Sequence, residues 1–284
     1  MVTTRNFRVH WNFNDPQATE RVFQELIAST SSPIEKLLLQ TQVARTYGLR
    51  DQFDQAKQVL DAIEAQSHGL ECTLVDAAEL KVRLHLERGR MLRSSKKPEE
   101  ARPEFLKAFQ VAQDNKMDEL AIDAIHMIAL VVNANEALTW TQRGFELAKE
   151  SEDLNARNWD AALANNIGWT YHDQGEFNKA LEYWKIALTA YERIGKADNI
   201  RIAKWMIARG YRSLKQHDQA LEILHELEKN PSSDGYVFEE LGENYLALGQ
   251  ADKTKPYFAK AYSLLCDDKY VEADRLNRMQ TLSK

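Results

Sequence analysis

Eight residues of this 284-residue sequence are best suited to chemistry, and the chemistry they suit is recognition. Arg45, Arg90, Arg209 and Arg212 carry guanidinium forks, which match the geometry of carboxylates. Asn165 and Asn166 are adjacent amides able to donate to and accept from an extended peptide backbone, while the indoles of Trp169 and Trp205 offer cover for apolar side chains. Each has a plainer use: the arginines pairing within the chain with Glu87, Asp173 or Glu239, the asparagines satisfying neighbouring helices, the tryptophans filling a core. Catalysis has less to work with, because it needs convergent groups of matched protonation chemistry. None of the seven histidines falls in HExxH, and neither GxGxxG nor GxxxxGK[ST] is present. His126 and His172 read as satisfied or solvent-facing side chains. Cys72 and Cys266 lack CxxC spacing, so the expectation is two reduced, packed thiols without zinc or a disulfide framework. The sequence reading is therefore of a non-enzyme with no cofactor and no metal.

Composition sets the frame for these residues. Charged residues make up 28% and hydrophobic ones 44%, as in soluble folded chains, and only 11 Gly and 6 Pro leave little material for hairpin turns, which favours helix throughout. A net charge of −6 argues against coating nucleic acid. The start, MVTTRNFRVHWNF, has no apolar h-region, and no apolar run approaches the roughly 18 residues of a membrane span. No nucleic-acid or membrane partner is expected, and a cytoplasmic setting is.

The elements that must position the candidate residues are legible as an internal repeat. Small residues recur in pairs twelve apart: Ala44 and Ala56, Gly89 and Ala101, Gly168 and Ala180, Ala208 and Ala220, and Gly242 and Thr254. Three beyond each first member stands Tyr47, Leu92, Tyr171, Tyr211 or Tyr245; four beyond each second stands Leu60, Phe105, Trp184, Leu224 or Phe258. Small residues let two antiparallel helices approach and bulky ones fill the space beside them, so each pair predicts a helical hairpin with its small residues at the crossing. One hairpin cannot bury its own apolar face, which predicts stacked neighbours. A degenerate copy lies between the second and third of these, where Ala129 and Ala137 are only eight apart and about one helical turn is missing near Asn133–Asn135. Asp15-Pro16 predicts the start of a capping helix ending near Ser29–Ser32, and Asp267-Asp268 the start of a terminal helix running to about Leu282.

Ile167-Gly168, Tyr171, Ala180 and Trp184 match the L-G-x-x-Y…A-x-x-x-F skeleton, so the sequence resembles the tetratricopeptide-repeat family over residues 33–266. Its variable period, 45, 40 and then 34 residues between second small residues, is similar to the longer-repeat bacterial and kinesin-light-chain-like branch. The resemblance implies an all-α, right-handed solenoid of about six hairpins, thirteen or fourteen helices in all. It divides the chain into an arm and capping helix at 1–32, repeats at 33–266 and a capping helix at 267–284. It also implies a concave groove, lined by the first helix of each hairpin, for a protein or peptide partner. Positions three before, one after and four after each small residue then face the groove, which selects Arg45, Arg90, Asn165, Trp169, Trp205, Arg209 and Arg212, with Asn166 beside them. Glu239, Glu240 and Glu243 form an acidic end. The clamp for chaperone C-termini is out of register: Asn166 takes its middle position, but His126, Leu130, Ile202 and Met206 stand where it needs Lys, Asn or Arg. The function expected is a peptide-binding scaffold, or else a regulator whose superhelix changes shape on binding. Partner identity and oligomeric state have no signature in the sequence.

Overall fold

The computed structural model describes residues 2, 4–230, 234–268 and 270–284. After a short 3-10 turn at Phe7–His10 come fifteen α-helices among these residues: α1 (Pro16–Ser29), α2 (Pro33–Leu49), α3 (Phe53–Ser67), α4 (Leu74–Ser94), α5 (Pro98–Asp114), α6 (Asp118–Ala129), α7 (Ala134–Glu150), α8 (Leu154–Arg157), α9 (Trp159–Asp173), α10 (Phe177–Ile194), α11 (Ala197–Ser213), α12 (His217–Glu228), α13 (Gly235–Ala247), α14 (Ala251–Leu265) and α15 (Ala273–Leu282). Apart from the single turn α8, this is the all-α repeat that the spacing of small residues predicts. The chain divides into two compact units, residues 1–163 and 164–284, and the boundary falls inside α9.

Helix starts follow local chemistry. Asp15 accepts from the amide of Ala18 at 2.9 Å with Pro16 in the first turn, as expected, and Thr73, Asn133 and Asp234 cap α4, α7 and α13 in the same way. The terminal helix corrects its expectation: α15 begins at Ala273, five residues beyond Asp268, because the Asp268 carboxylate accepts from the amide of Tyr270 and the hydroxyl of Tyr236 instead of capping a helix. The degenerate copy is a trimmed hairpin, with α6 only twelve residues long and joined to α7 through Leu130–Asn133.

One turn closes five hairpins and the α5–α6 connection. The central residue adopts the left-handed conformation at Asp51, Lys96, Lys116, Gly175, Lys215 and Gly249. The next amide reaches back five residues, Gln52 to Tyr47, Lys97 to Leu92, Glu176 to Tyr171, Gln216 to Tyr211 and Gln250 to Tyr245, at 2.8–3.0 Å. These bonds satisfy carbonyls that a helix end leaves free. The bulky residue three beyond each small one therefore also supplies the carbonyl that closes the turn.

Within residues 1–163, α4 packs on α2 and α6 as well as on its hairpin partner α5, so the first helices form one layer and the second helices another. Within residues 164–284, α11 stands in the same relation to α12 and α13. At the crossings the small residue meets the bulky one sixteen beyond it. A Cβ on Gly89 would fall 2.6 Å from Cδ1 of Phe105, one on Gly168 2.5 Å from Cδ1 of Trp184, and one on Gly242 3.1 Å from Cδ2 of Phe258. Phe105, Trp184 and Phe258 are fully buried. The small residues thus make room for an aromatic ring, and Ala101, Ala180 and Thr254 lie buried one turn before that ring. In the trimmed copy the close approach is Gly144 against Ile125, while Ala129 and Ala137 are only half-buried.

Candidate functional site

Residues 1–163 present the α2, α4 and α6 layer, and its electrostatics begin with the N-terminal arm. Arg5 donates to Glu35 (2.6 Å), Asp76 (2.8 Å) and Glu79 (2.7 Å), and its carbonyl accepts from Arg83. Arg8 sits over the Trp159 ring at 4.2 Å, with Glu119 3.7 Å away. Phe7 is buried edge-on against Phe23, and Val2 donates to the Lys116 carbonyl. Trp11 and Phe13 stack at 4.9 Å, and the Trp11 indole donates to Gln42. The arm is thus packed along the first helices.

Next along the layer, Arg90 donates to both Asp123 oxygens at 2.6 Å and to Glu87 at 2.5 Å. Burial opposes charge on Arg90 and on Asp123, but their mutual attraction outweighs it: the guanidinium is held above its ordinary range and the carboxyl well below its own. Arg90 is therefore spoken for within the chain. Arg45 is not. Its guanidinium lies over Trp11 (5.1 Å) and Phe13 (5.4 Å), with no carboxylate within ion-pair distance among the described residues. Burial, reinforced by Arg90 and only partly offset by Glu87 and Asp123, pushes it down to about 10.

Arg45, Gly48, Arg90, Arg93 and Leu130, five positions selected from three successive repeats, line one cavity of about 160 Å³ together with Ala44, Leu49, Glu87, Met91, Ser94 and Met127. The position three before the small residue behaves differently in the first two repeats: Thr41 and Leu86 are buried beneath their neighbours, so the open face there is carried by the positions one and four beyond the small residue.

In residues 164–284 three of the other candidates, Trp169, Trp205 and Arg209, form a stack. The Trp169 and Trp205 rings lie 6.1 Å apart, and Arg209 covers both at 5.7 and 5.6 Å. Trp169 also meets the buried Trp184 edge-on at 5.1 Å, and Trp205 donates to the Tyr236 carbonyl. Arg209 is 3.6 Å from Glu240, which Arg212 also engages. Asn165 donates to Asn166 at 3.1 Å. His172 lies among Trp169, Phe177 and Trp184 with Ser213 at 2.9 Å; burial first, then Arg209, lowers its affinity for a proton. The acidic end is not free: Glu239 binds Arg275, Glu243 binds Arg278, and Glu240 the two arginines already named. Arg275 and Arg278 of α15 thus turn toward α13.

The eight candidate residues thus fall into two arginines in one unit and, in the other, a Trp169–Trp205–Arg209 stack, the Asn165–Asn166 pair and Arg212 on Glu240. Arg5, Arg8, Glu79 and Asp123 are missed by the sequence reading. The signal for the first two is present in R-N-F-R-V-H-W-N-F, where cations alternate with aromatics. Cys72 and Cys266 are free, and both are exposed where packed thiols are expected. No helix among the described residues is long and apolar enough to cross a membrane.

Hairpins stacked in two layers, each first helix opposed to its neighbour's, define an α-helical repeat protein. Residues 159–228 match the family model described as tetratricopeptide repeat. In fold the chain is of the all-α repeat-solenoid class. No curated protein matches its sequence. Among solved structures it is similar to the apo form of RapI, with TM-score 0.72 and 13% identity over 97% of this chain and 78% of that one. It is also similar to a signal-transduction ATPase with a tetratricopeptide repeat sensor from Pyrococcus horikoshii, with TM-score 0.67 and 16% identity over 97% of this chain and 46% of that one. A third likeness is to the apo form of the quorum sensor NprR from B. thuringiensis, with TM-score 0.56 and 13% identity over 96% of this chain and 83% of that one. At these identities the likeness is one of fold.

Proposed function

We propose that this chain is a non-catalytic scaffold that binds a protein or peptide partner on the open face of its first helices. The carrying observation is the convergence of Arg45, Gly48, Arg90, Arg93 and Leu130, from three successive repeats, on one cavity. A sequence that needed these helices only for packing has no reason to leave Arg45 without a carboxylate at such a point. The Trp169–Trp205–Arg209 stack supports the reading from the second unit, since half-buried indoles and a cation are the groups that anchor partner side chains. The proposed setting is the cytoplasm, in keeping with two exposed, unbridged thiols.

A second reading, a regulator that responds to a bound ligand, is favoured by the unpaired charge at the cavity, because charge left without a partner gives a ligand differential affinity for one conformation. Two of the similar structures, the ATPase with a tetratricopeptide repeat sensor and the quorum sensor NprR, accord with it. Affinity capture with the wild type, with Arg93→Glu and with Asn166→Ala/Arg209→Glu tests the scaffold reading. Partners held by the first helices are lost from one or both variants, whereas equal capture by all three rejects the assignment.

A further inference from the structure

The cavity between α2, α4 and α6 carries more chemistry than a generic peptide face requires. Glu87 lines it and is 3% exposed; one carboxylate oxygen takes Arg90, while the other, Oε2, is buried with no hydrogen-bond partner among the described residues. Leaving a buried carboxylate oxygen without a donor is unfavourable, so this one is a site for an N–H. On the same cavity stand Arg45 and, at the exposed rim, Arg93, neither of them within ion-pair distance of a carboxylate among the described residues. Arg90 is set against both Glu87 and Asp123, so with Arg45 and Arg93 added the group carries one net positive charge, a demand for one anion. The rest of the wall includes Met91, Met127 and Leu130, flexible apolar chains that conform to a variable side chain.

Size narrows the ligand. About 160 Å³ is well under the roughly 300–1,000 Å³ of pockets that enclose cofactors or drug-sized ligands. A nucleotide is excluded on those grounds and by the lack of an aromatic ring in the wall. A bare phosphate would place its charge against the free oxygen of Glu87. What remains is a compact group with a carboxylate, an N–H close to it and an apolar branch.

We propose that this cavity binds one apolar α-amino acid unit, either free or as the last residue of a peptide, with its carboxylate on Arg45 and Arg93, its N–H on Glu87 Oε2 and its side chain against Met91, Met127 and Leu130. Trp11 and Phe13 lie against the Arg45 guanidinium, at 5.1 and 5.4 Å, so the N-terminal arm is a positioning element of the site. The proposal deepens the reading of the open face as a binding surface and rests on it.

The test is methyl NMR on the full chain labelled at methionine, titrated separately with L-leucine, N-acetyl-L-leucine, L-leucinamide and inorganic phosphate. Saturable shifts of the Met91 and Met127 methyls with at least one carboxylate ligand are expected, and leucinamide should bind at least about tenfold more weakly. A response to leucine alone assigns the free amino acid, and a response to N-acetyl-leucine assigns a peptide C-terminus. Arg93→Gln, altered only at the rim, should weaken binding several-fold with an unchanged melting curve, and Arg45→Gln should weaken it further. Leucinamide binding as tightly as the acids, phosphate binding more tightly than either, or no methyl shift with any of them overturns the proposal. If the methyls do not respond while Arg93→Glu still loses captured partners, the cavity assignment falls and the scaffold reading stands.

Discussion

Gly168 and Trp184 form one steric unit: the helix of the first leaves room, where a Cβ would be, for the edge of the second's fully buried indole. Gly168→Ala places a methyl 2.5 Å from Cδ1 of a ring with little room to retreat, because Gly210 on α11 lies at its far edge, where an added Cβ would fall 3.2 Å from Cζ3. Overpacking of this kind costs about 1–3 kcal/mol. Gly48→Ala meets nothing within 4 Å and lies inside α2, so the same change there should stabilise by about 0.5–1 kcal/mol. Urea denaturation of the two variants checks the contrast; equal effects would contradict the packing described.

The lysines at the hairpin turns make a second case. Lys96 has φ of 64° and Lys215 of 60°, the conformation that Gly175 and Gly249 hold at equivalent turns. A side chain in the left-handed region costs roughly 1–2 kcal/mol. Lys96→Gly and Lys215→Gly should therefore raise stability by up to about 1 kcal/mol each, less than the full strain because glycine also loosens the unfolded chain. Thermal melts of each variant against the wild type measure it, and a lowered midpoint in both would refute the turn assignment.

Arg90 and Arg45 separate under mutation. Asp123→Asn removes the carboxylate that Arg90 grips with two bonds at 2.6 Å, leaving a buried cation with Glu87 alone. Breaking a buried pair costs about 3 kcal/mol or more. Arg45→Gln removes no ion pair among the described residues and should cost far less. Chemical denaturation of both variants gives the comparison, and a larger loss from Arg45→Gln would overturn the division of roles.

Acid sensitivity follows from His126 and His172. Burial is the main cause that lowers the proton affinity of both; at His126, whose ring lies against Trp159, Asp123 opposes the shift while Arg90 and Arg8 add to it. An unfolded histidine titrates near 6.5, so below that pH the unfolded chain binds more protons and the native state loses stability as pH falls from about 7 to 5. His126→Asn should flatten this slope. A separate contribution belongs to Glu104, which a hydrogen bond from His85 and another from Lys107 pull down to about 2 from the ordinary 4.5 against the opposing effect of burial. That contribution is whole above pH about 4.5 and fades as pH falls through about 2. Stability measured by denaturant at pH 7, 6 and 5 checks the first window; an unchanged or rising value towards pH 5 would contradict it.

The hairpins were legible because their marks are local and periodic: a small residue, a bulky one three on, another bulky one sixteen on. That Lys96 and Lys215 take a glycine's conformation was not, since nothing in a lysine's type announces a positive φ when tertiary packing imposes it. Among candidate site residues, the spacing rule placed Arg45, Arg90 and Arg93 at one cavity but could not say which was already paired. That depends on Asp123, 33 residues beyond Arg90, whose position is fixed only when α6 packs on α4. The N-terminal arm was illegible for the same reason. The partners of Arg5 lie 30, 71 and 74 residues away.

Amide hydrogen exchange of the full chain with and without a captured partner tests most directly whether the first helices are the binding surface. Protection should concentrate in the C-terminal halves of α2 and α4 and in α6, or along α9, α11 and α13, while α3, α5, α12 and α14 keep their free-state rates. Protection confined to those second helices, with the first helices unchanged, would contradict it.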